Sequence, residues 1–437
     1  MLKRRIEDYG LTATINTTED CNLRCKYCYE INKRKKSIKF EYAKKFIDCL
    51  LEDPDPIGIS KDSDSVFNDR IYKSGLLLDF IGGDALMDVD ILDKIFTYFT
   101  KKLWTTNTPN AIYWRSHHRF TISSNGTLFT DKKVQDFLLK WNKNISISVS
   151  LDGCPAIHDK NRIMLKRGLN GEELGSMKYI LDGWGWFQRY FSDSATSTKA
   201  TCSKDSIPYL HDSIKYLYEE MGITNINMNF VMENQNYTDE DYKELDRQFR
   251  KCIPYMLEHR HDFYWGLIDY DQFAKHKPSK GLDWTERGHC GSGGMPCLGI
   301  NGNIYPCFRW TPHTQAKDNS EPIIVGDVNR GFYNKDGFTK VRKGAYRVNC
   351  TKEEKCKTCI YEGSCPYCIG GCYAEFQDFI RTTYICEIIK LQCKWAKVYW
   401  NEYNKLEGLP MEFDEFFQLD RIPNWTKPIS TTNEKEM

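Results

Sequence analysis

Between about residues 10 and 260 the chain alternates short β-rich runs with amphipathic helical ones, and this alternation constrains the fold more than any other feature. "LTATINT", "GLLLDFI", "RFTISS", "ISISVSL", "TKATC" and "INMNFVM" read as strands. Between them, "EYAKKFIDCLL", "VDILDKIFTYFTKKL", "KKVQDFLLKW", "SMKYILDGWGWFQRYF" and "SIPYLHDSIKYLYEEM" carry apolar residues at helical spacing. Strands alternating with helices predict βα units on a parallel sheet. Six units are too few to close an eight-stranded barrel. The expectation is an α/β fold, a partial, open (βα)6 TIM barrel over residues 1–260.

Other stretches break this rhythm. A surface insertion is expected over 52–75, because "EDPDPIGISKDSDSVFNDR" (52–70) is acidic, rich in turn residues and poorly periodic. After "YKELDRQFRKCIPYMLEHRH" the composition changes. Residues 261–405 read as a bridging region and a small metal-dependent module, rich in cysteine and glycine and closed by the helix "ICEIIKLQCKWAKVYWNEYNKL". Residues 406–437 read as a polar C-terminal tail.

The 437 residues include 18 cysteines and carry a net charge of +1. A balanced charge gives no electrostatic reason for a nucleic-acid partner. No apolar run is long enough to span a bilayer, and no apolar stretch follows the basic start "MLKRRIEDYG", so neither a membrane protein nor a secretory signal is expected. The expectation is a cytoplasmic protein, whose cysteines cannot form a disulfide framework. Cys49, Cys154, Cys202 and Cys252 stand alone and are expected to be small buried hydrophobes. The other fourteen fall at 21–28 and 290–393, a clustering that points to metal.

Cys21, Cys25 and Cys28 are spaced i, i+4, i+7, which is also the spacing of one helix face. A buried helical stripe is therefore one reading, and a zinc site completed by a distant ligand a second. The third is an iron–sulfur cluster, favoured by the preceding strand and by the polar, cationic setting of Asn22, Arg24 and Lys26.

C-x3-C-x2-C after the first strand of a βα barrel, with Tyr27 before the last cysteine, resembles the signature of the radical S-adenosylmethionine (SAM) enzymes. The resemblance implies that Cys21, Cys25 and Cys28 hold three irons of a [4Fe–4S] cluster. The fourth iron stays open to chelate SAM, whose reductive cleavage yields a 5′-deoxyadenosyl radical. It further implies SAM contacts by Tyr27 and by "GGD" (Gly82, Gly83, Asp84), where Asp84 stands in place of the family's glutamate. Ser123 and Asn125 of "SSNGT", with Ser150 and Arg162 of "SVSLDGCPAIHDKNR", complete the implied SAM site. Asp152 and His158 of the last stretch read equally well as structural.

The second group holds Cys290, Cys297, Cys307, Cys350, Cys356, Cys359, Cys365, Cys368, Cys372, Cys386 and Cys393. Paired C-x2-C alone would suit zinc ribbons. The order resembles the SPASM module of radical SAM enzymes that mature peptides and proteins. That resemblance implies two auxiliary [4Fe–4S] clusters, hence three in all. One is expected on Cys290, Cys297, Cys307 and Cys372. The other is expected on Cys356, Cys359, Cys365 or Cys368, and Cys386. In "CKTCIYEGSCPYCIGGC" the family's last cysteine position is Ile369.

The function implied is that of a peptide maturase, in which the radical abstracts hydrogen from a ribosomally made peptide and a thioether, carbon–carbon or ether cross-link follows. A sulfatase-type maturase making formylglycine is an alternative in the same chemistry, and a non-catalytic iron–sulfur or zinc scaffold is one outside it. No catalytic base is assignable from sequence. The partners expected are a peptide with a leader and a flavodoxin- or ferredoxin-type reductant. With about ten residues before the first strand, leader recognition is expected from the insertion, the tail or a separate leader-binding protein.

Overall fold

Capping residues and apolar periodicity set the helices. Asp88 accepts from Ile91 N at 3.2 Å and starts the helix Val89–Thr105. Asp131 accepts from Lys133 N and Val134 N at 2.8 and 3.1 Å and starts Lys132–Trp141. Each satisfies donors that a helix start leaves unpaired. The computed structural model describes residues 9–31, 33–58, 75–233, 235–275, 290–315, 322–414 and 417. Most of the expected insertion (59–74) and most of the expected tail (415, 416 and 418–437) lie outside these.

Thirteen strands are present among the described residues: β1 (Tyr9–Thr18), β2 (Leu23–Cys25), β3 (Gly75–Gly82), β4 (His118–Ser124), β5 (Ile145–Ser150), β6 (Arg162–Arg167), β7 (Glu173–Gly175), β8 (Ser197–Cys202), β9 (Asn225–Phe230), β10 (Tyr264–Trp265), β11 (Cys297–Leu298), β12 (Asn303–Tyr305) and β13 (Gly326–Asp327). Ten form one sheet in the order β10-β9-β8-β5-β4-β3-β1-β11-β12-β13. Every pair from β10 to β11 is parallel. The last two pairs, β11–β12 and β12–β13, are antiparallel. The six strands read from the sequence are β1, β3, β4, β5, β8 and β9. They form the open barrel wall, and no pairing among the described residues closes it.

Two features lie outside the sequence reading. A second sheet, β2-β6-β7, ties the first cysteine loop to a hairpin after β5, the fourth wall strand, with Cys25 opposite Arg162. Its strands are short and lack clean alternation, so no periodic signal marks them. The cysteine-rich module also extends the barrel's own sheet, because Cys297 of β11 pairs with Thr14 of β1.

Leu76, Leu78 and Phe80 of β3 and Phe120 of β4 are fully buried. Phe96 and Phe120 stack with centroids 3.9 Å apart, and Phe80, Phe137 and Trp141 pack around them. Burying each such ring contributes roughly 1.5–3 kcal/mol. The C-terminal helix Cys386–Leu406 closes on the helix Asp239–Glu258. There Asp246 accepts from Trp395 Nε1 and pairs with Lys394, both at 2.9 Å. Of the lone cysteines, Cys202 and Cys252 are buried, while Cys49 and Cys154 are half-buried.

Candidate active site: three thiols at the mouth of an open barrel

The loop after β1 is not helical, so the three thiols are not a helical stripe. Cys21 and Cys28 lie in irregular backbone and Cys25 in β2. Leu23 N donates to Cys21 Sγ at 3.4 Å, and Cys28 N donates to Cys25 O at 3.2 Å. Arg162 Nη1 stands 3.9 Å from Cys25 Sγ. Burial pushes the Cys21 thiol up to about 12 and raises Cys25 as well. Cys25 bears on Cys21, and Cys28 on Cys25.

Lys33 follows the same loop, and its ammonium lies 3.9 Å from Glu30 Oε2. Burial opposes charge on the Lys33 ammonium, yet Cys21, Cys28, Glu30 and Cys25 together hold it above its ordinary range. Three soft sulfur donors in one loop suit an iron–sulfur cluster. Bound irons would draw off the thiol protons that burial retains.

The neighbouring motifs pack this loop. A Cβ on Gly82 would stand 2.1 Å from Thr18 O. One on Gly83 would stand 2.1 Å from Asp20 O and 2.7 Å from Cys21 Cβ. Their absence lets Gly83 N and Asp84 N donate to Thr18 O and Asp20 O at 3.0 and 2.9 Å. Asp84 is fully buried, and its oxygens accept from Leu86 N (3.0 Å), Ser124 Oγ (3.0 Å) and Asn125 N (2.7 Å). It therefore braces the "SSNG" turn from inside. Asn125 in turn donates to Asn22 Oδ1 at 2.8 Å, and its Nδ2 lies 4.0 Å from Cys21 Sγ.

Arg162 is engaged too. Its Nη2 donates to Asp152 Oδ1 at 3.1 Å, and Nε stands 3.0 Å from Oδ2. The same carboxylate accepts from Tyr27 Oη and from Thr201 N. Asp152 thus binds the cysteine loop, β6 and β8 together, a structural role. His158 is structural as well: its Nδ1 accepts from Asp152 N at 3.3 Å, and Nε2 lies 3.0 Å from Ser176 Oγ. Burial pushes His158 down to about 3, so it is neutral.

Ser123 and Ser150 lie half-buried at the ends of β4 and β5, beside Lys199 of β8. Lys199 Nζ donates to Ser123 Oγ at 3.1 Å, and Ser150 is its register partner. Asp79 of β3 shares this inner wall, accepting from Thr121 Oγ1 at 2.6 Å. Burial raises its carboxyl, while Lys199 and Thr121 draw it back. Asp79 belongs to no recognisable motif, but a lone carboxylate inside "GLLLDFI" is a visible sequence signal.

A further polar junction links the loop to the cysteine-rich module. His313 is 3.8 Å from Glu19 and 3.6 Å from Glu30, and all three side chains are buried. Asn16 Nδ2 lies 3.2 Å from His313 Nε2, and Glu30 Oε1 has no hydrogen-bond partner. An open cavity of about 520 Å³, lined by Ile31, Lys33, Arg34, Pro312 and His313, adjoins it.

The second cysteine group separates into two neighbourhoods. Cys290 feels Cys368 and Cys350; Cys307 feels Cys290 and Cys368; Cys372 feels Cys368, Cys350 and Cys290. Cys297 adjoins Cys307. Apart from these, Cys365 feels Cys386 and Cys359, Cys386 feels Cys356 and Cys359, and Cys393 feels Cys365 and Cys359. Burial pushes Cys290, Cys365, Cys372 and Cys393 up to about 12. The thiols are neighbours rather than a closed coordination sphere: among the described residues no three His, Cys, Asp or Glu side chains form a metal-holding group.

The chain is similar in structure to anSMEcpe with bound AdoMet, at a TM-score of 0.63 and 16% identity over 91% of this chain and 100% of that one. It is also similar to SuiB of Streptococcus suis bound to the precursor peptide SuiA, at a TM-score of 0.52 and 16% identity over 86% and 76% of the two chains. The fold is that of the radical SAM enzymes with a SPASM module. In sequence, 142 residues are 28% identical to the uncharacterized protein MJ0907 of Methanocaldococcus jannaschii. That match spans 32% of this chain and 37% of the relative's length. No protein-family model matches the chain. No helix among the described residues is long and apolar enough to cross a membrane.

Proposed function

We propose that the protein is a radical SAM maturase that abstracts hydrogen from a peptide substrate at the mouth of the open barrel. The observation that carries this reading is the non-helical loop after β1, which holds three cysteines, Cys21, Cys25 and Cys28, and no fourth, on a chain with the fold of radical SAM enzymes. An open position is what distinguishes a catalytic metal centre from a structural one. A zinc or iron–sulfur scaffold would not need it. Cys21, Cys25 and Cys28 would hold the cluster, and with SAM it would supply a 5′-deoxyadenosyl radical.

This chain's residues orient and enclose that site. Tyr27, Asp152 and Arg162 pin the loop to β6 and β8. Gly82, Gly83 and Asp84 pack it from below, and Asp84 sets Asn125 beside Asn22. Ser123, Ser150 and Lys199 offer polar groups on the inner wall for SAM or substrate. Asp79, half-buried with one oxygen on Thr121, is our candidate to accept a proton from the substrate.

We assign one auxiliary cluster to Cys290, Cys297, Cys307 and a fourth ligand from Cys368 or Cys372, and the other to Cys356, Cys359, Cys365 and Cys386. Full cysteine ligation leaves these centres an electron-transfer role. The peptide and its leader, a separate leader-binding protein and a flavodoxin- or ferredoxin-type reductant remain the partners we propose. The companion structures are described with a bound Kp18Cys peptide (anSMEcpe) and with a precursor peptide (SuiB), which supports a peptide substrate here.

The test is anaerobic reconstitution followed by SAM and reductant. About twelve irons per chain and release of 5′-deoxyadenosine are expected. A fully loaded protein that releases none refutes the proposal. Mass spectrometry of a candidate peptide then separates a cross-link from formylglycine.

A further inference from the structure

Arg309 follows Cys307 by two residues, in the short helical turn Phe308–Trp310, and is 8% exposed. Its guanidinium carbon lies 4.4 Å from the ring centroid of Tyr29, the residue after Cys28. Nη2 donates to Glu233 Oε1 at 3.0 Å, whereas Nε is buried with no hydrogen-bond partner. On its other side the guanidinium meets the second cysteine group. A Cβ on Gly371 would stand 2.6 Å from Arg309 Nη2 and 3.6 Å from Cys368 Sγ, so cation and thiol flank one gap. A Cβ on Gly370 would stand 2.8 Å from Arg309 Cβ. The two glycines of "CIGGC" therefore clear the seat of this side chain. Gln315 Nε2 fastens the same two segments, donating to Arg309 O and to Gly370 O.

Keeping a guanidinium so far from water, with a donor unpaired, is costly unless a negative charge faces it. Glu233 supplies part of that charge, but its side chain is half exposed. The Cys368 sulfur lies on the other side of the gap at Gly371.

We propose that Arg309 is a positioning residue for the reduction potential of the auxiliary iron–sulfur centre beside Cys368, acting from a seat between that centre and the SAM loop at Tyr29. This rests on the radical SAM/SPASM reading above. A cluster gains one negative charge when it accepts one electron. A fixed cation a few ångströms away, in a medium of low dielectric, stabilises the reduced form and raises the potential. Cluster charge and hydrogen bonding to the sulfurs are the protein's means of setting that potential.

The experiment is an EPR-monitored redox titration of the anaerobically reconstituted full chain, with iron counted in each sample. In Arg309→Met the auxiliary centre is expected at lower potential by at least a tenfold change in its reduction equilibrium, about 59 mV for one electron. Arg309→Lys keeps the charge and shifts less. Glu233→Gln removes the compensating carboxylate and shifts the potential upward; it carries the test if Arg309→Met does not fold. An unmoved potential in fully loaded Arg309→Met overturns the proposal. So does iron loss in Arg309→Met together with a wild-type potential in Glu233→Gln, which makes Arg309 a structural residue only. Wild-type protein that binds iron for one cluster and shows no auxiliary signal overturns the SPASM reading, and this proposal with it.

Discussion

Gly83→Ala tests the packing of the cysteine loop directly. The added methyl would stand 2.1 Å from Asp20 O, 2.5 Å from its carbonyl carbon and 2.7 Å from Cys21 Cβ. None of these is the free end of a flexible side chain, so the backbone must yield. Either the loop moves away by about 1 Å or the Asp84 N to Asp20 O hydrogen bond breaks. Overpacking of this kind costs about 1–3 kcal/mol. A lost backbone hydrogen bond adds about 0.5–1.5 kcal/mol. The strain falls on Cys21, one of the three thiols that must converge on one cluster. The expected result is an unfolding free energy lower by about 2–4 kcal/mol. A selective loss of roughly four irons per chain should accompany it, with the auxiliary clusters retained. Denaturant unfolding and iron counting after anaerobic reconstitution measure both. A Gly83→Ala protein with wild-type stability and full iron would refute the claim that glycine is needed there for close approach.

Other outcomes follow from the same geometry. Asp152→Asn leaves the Arg162 guanidinium buried without its anion and should cost about 3–5 kcal/mol in denaturant unfolding; a wild-type midpoint would contradict the structural role given to Asp152. His158 is held neutral at about 3 when folded, whereas the unfolded chain protonates it near its ordinary 6.5. Below that value the unfolded state binds the extra proton, so its contribution to stability is complete above about 6.5 and is lost as pH falls toward 3. His158→Gln should flatten the fall of the denaturation midpoint across that window. Cys365→Ala should remove roughly four irons, and so should whichever of Cys368→Ala and Cys372→Ala takes away the fourth ligand of the other cluster. By their neighbours, the EPR signals lost should differ, and loss of the same signal in both would merge the two neighbourhoods.

Much of the fold was legible because its signals are local. Aspartates stand one residue before two helices, apolar residues recur at helical spacing, and six β-rich runs lie between turns; each needs only its sequence neighbours. The small β2-β6-β7 sheet was not legible, because β2 and β7 have three residues each and β2 pairs with β6 across more than 130 residues. Asp84 and Arg162, expected to contact SAM, also have partners within the protein that sequence does not reveal, Ser124 and Asn125 for one and Asp152 for the other, because a buried charge must find partners wherever the fold brings them.

The cysteines divide the same way. That three thiols follow the first barrel strand and eleven more crowd the C-terminal module is plain from the chain alone, since spacing is a property of the chain. Only the tertiary structure decided that Cys368 faces Cys290 and Cys307 while Cys365 faces Cys386. Only Pro366 and Tyr367 stand between the two thiols along the backbone. The turn between them sends their side chains to opposite neighbourhoods, and the guanidinium of Arg309, seated by Gly370 and Gly371, lies against one of them.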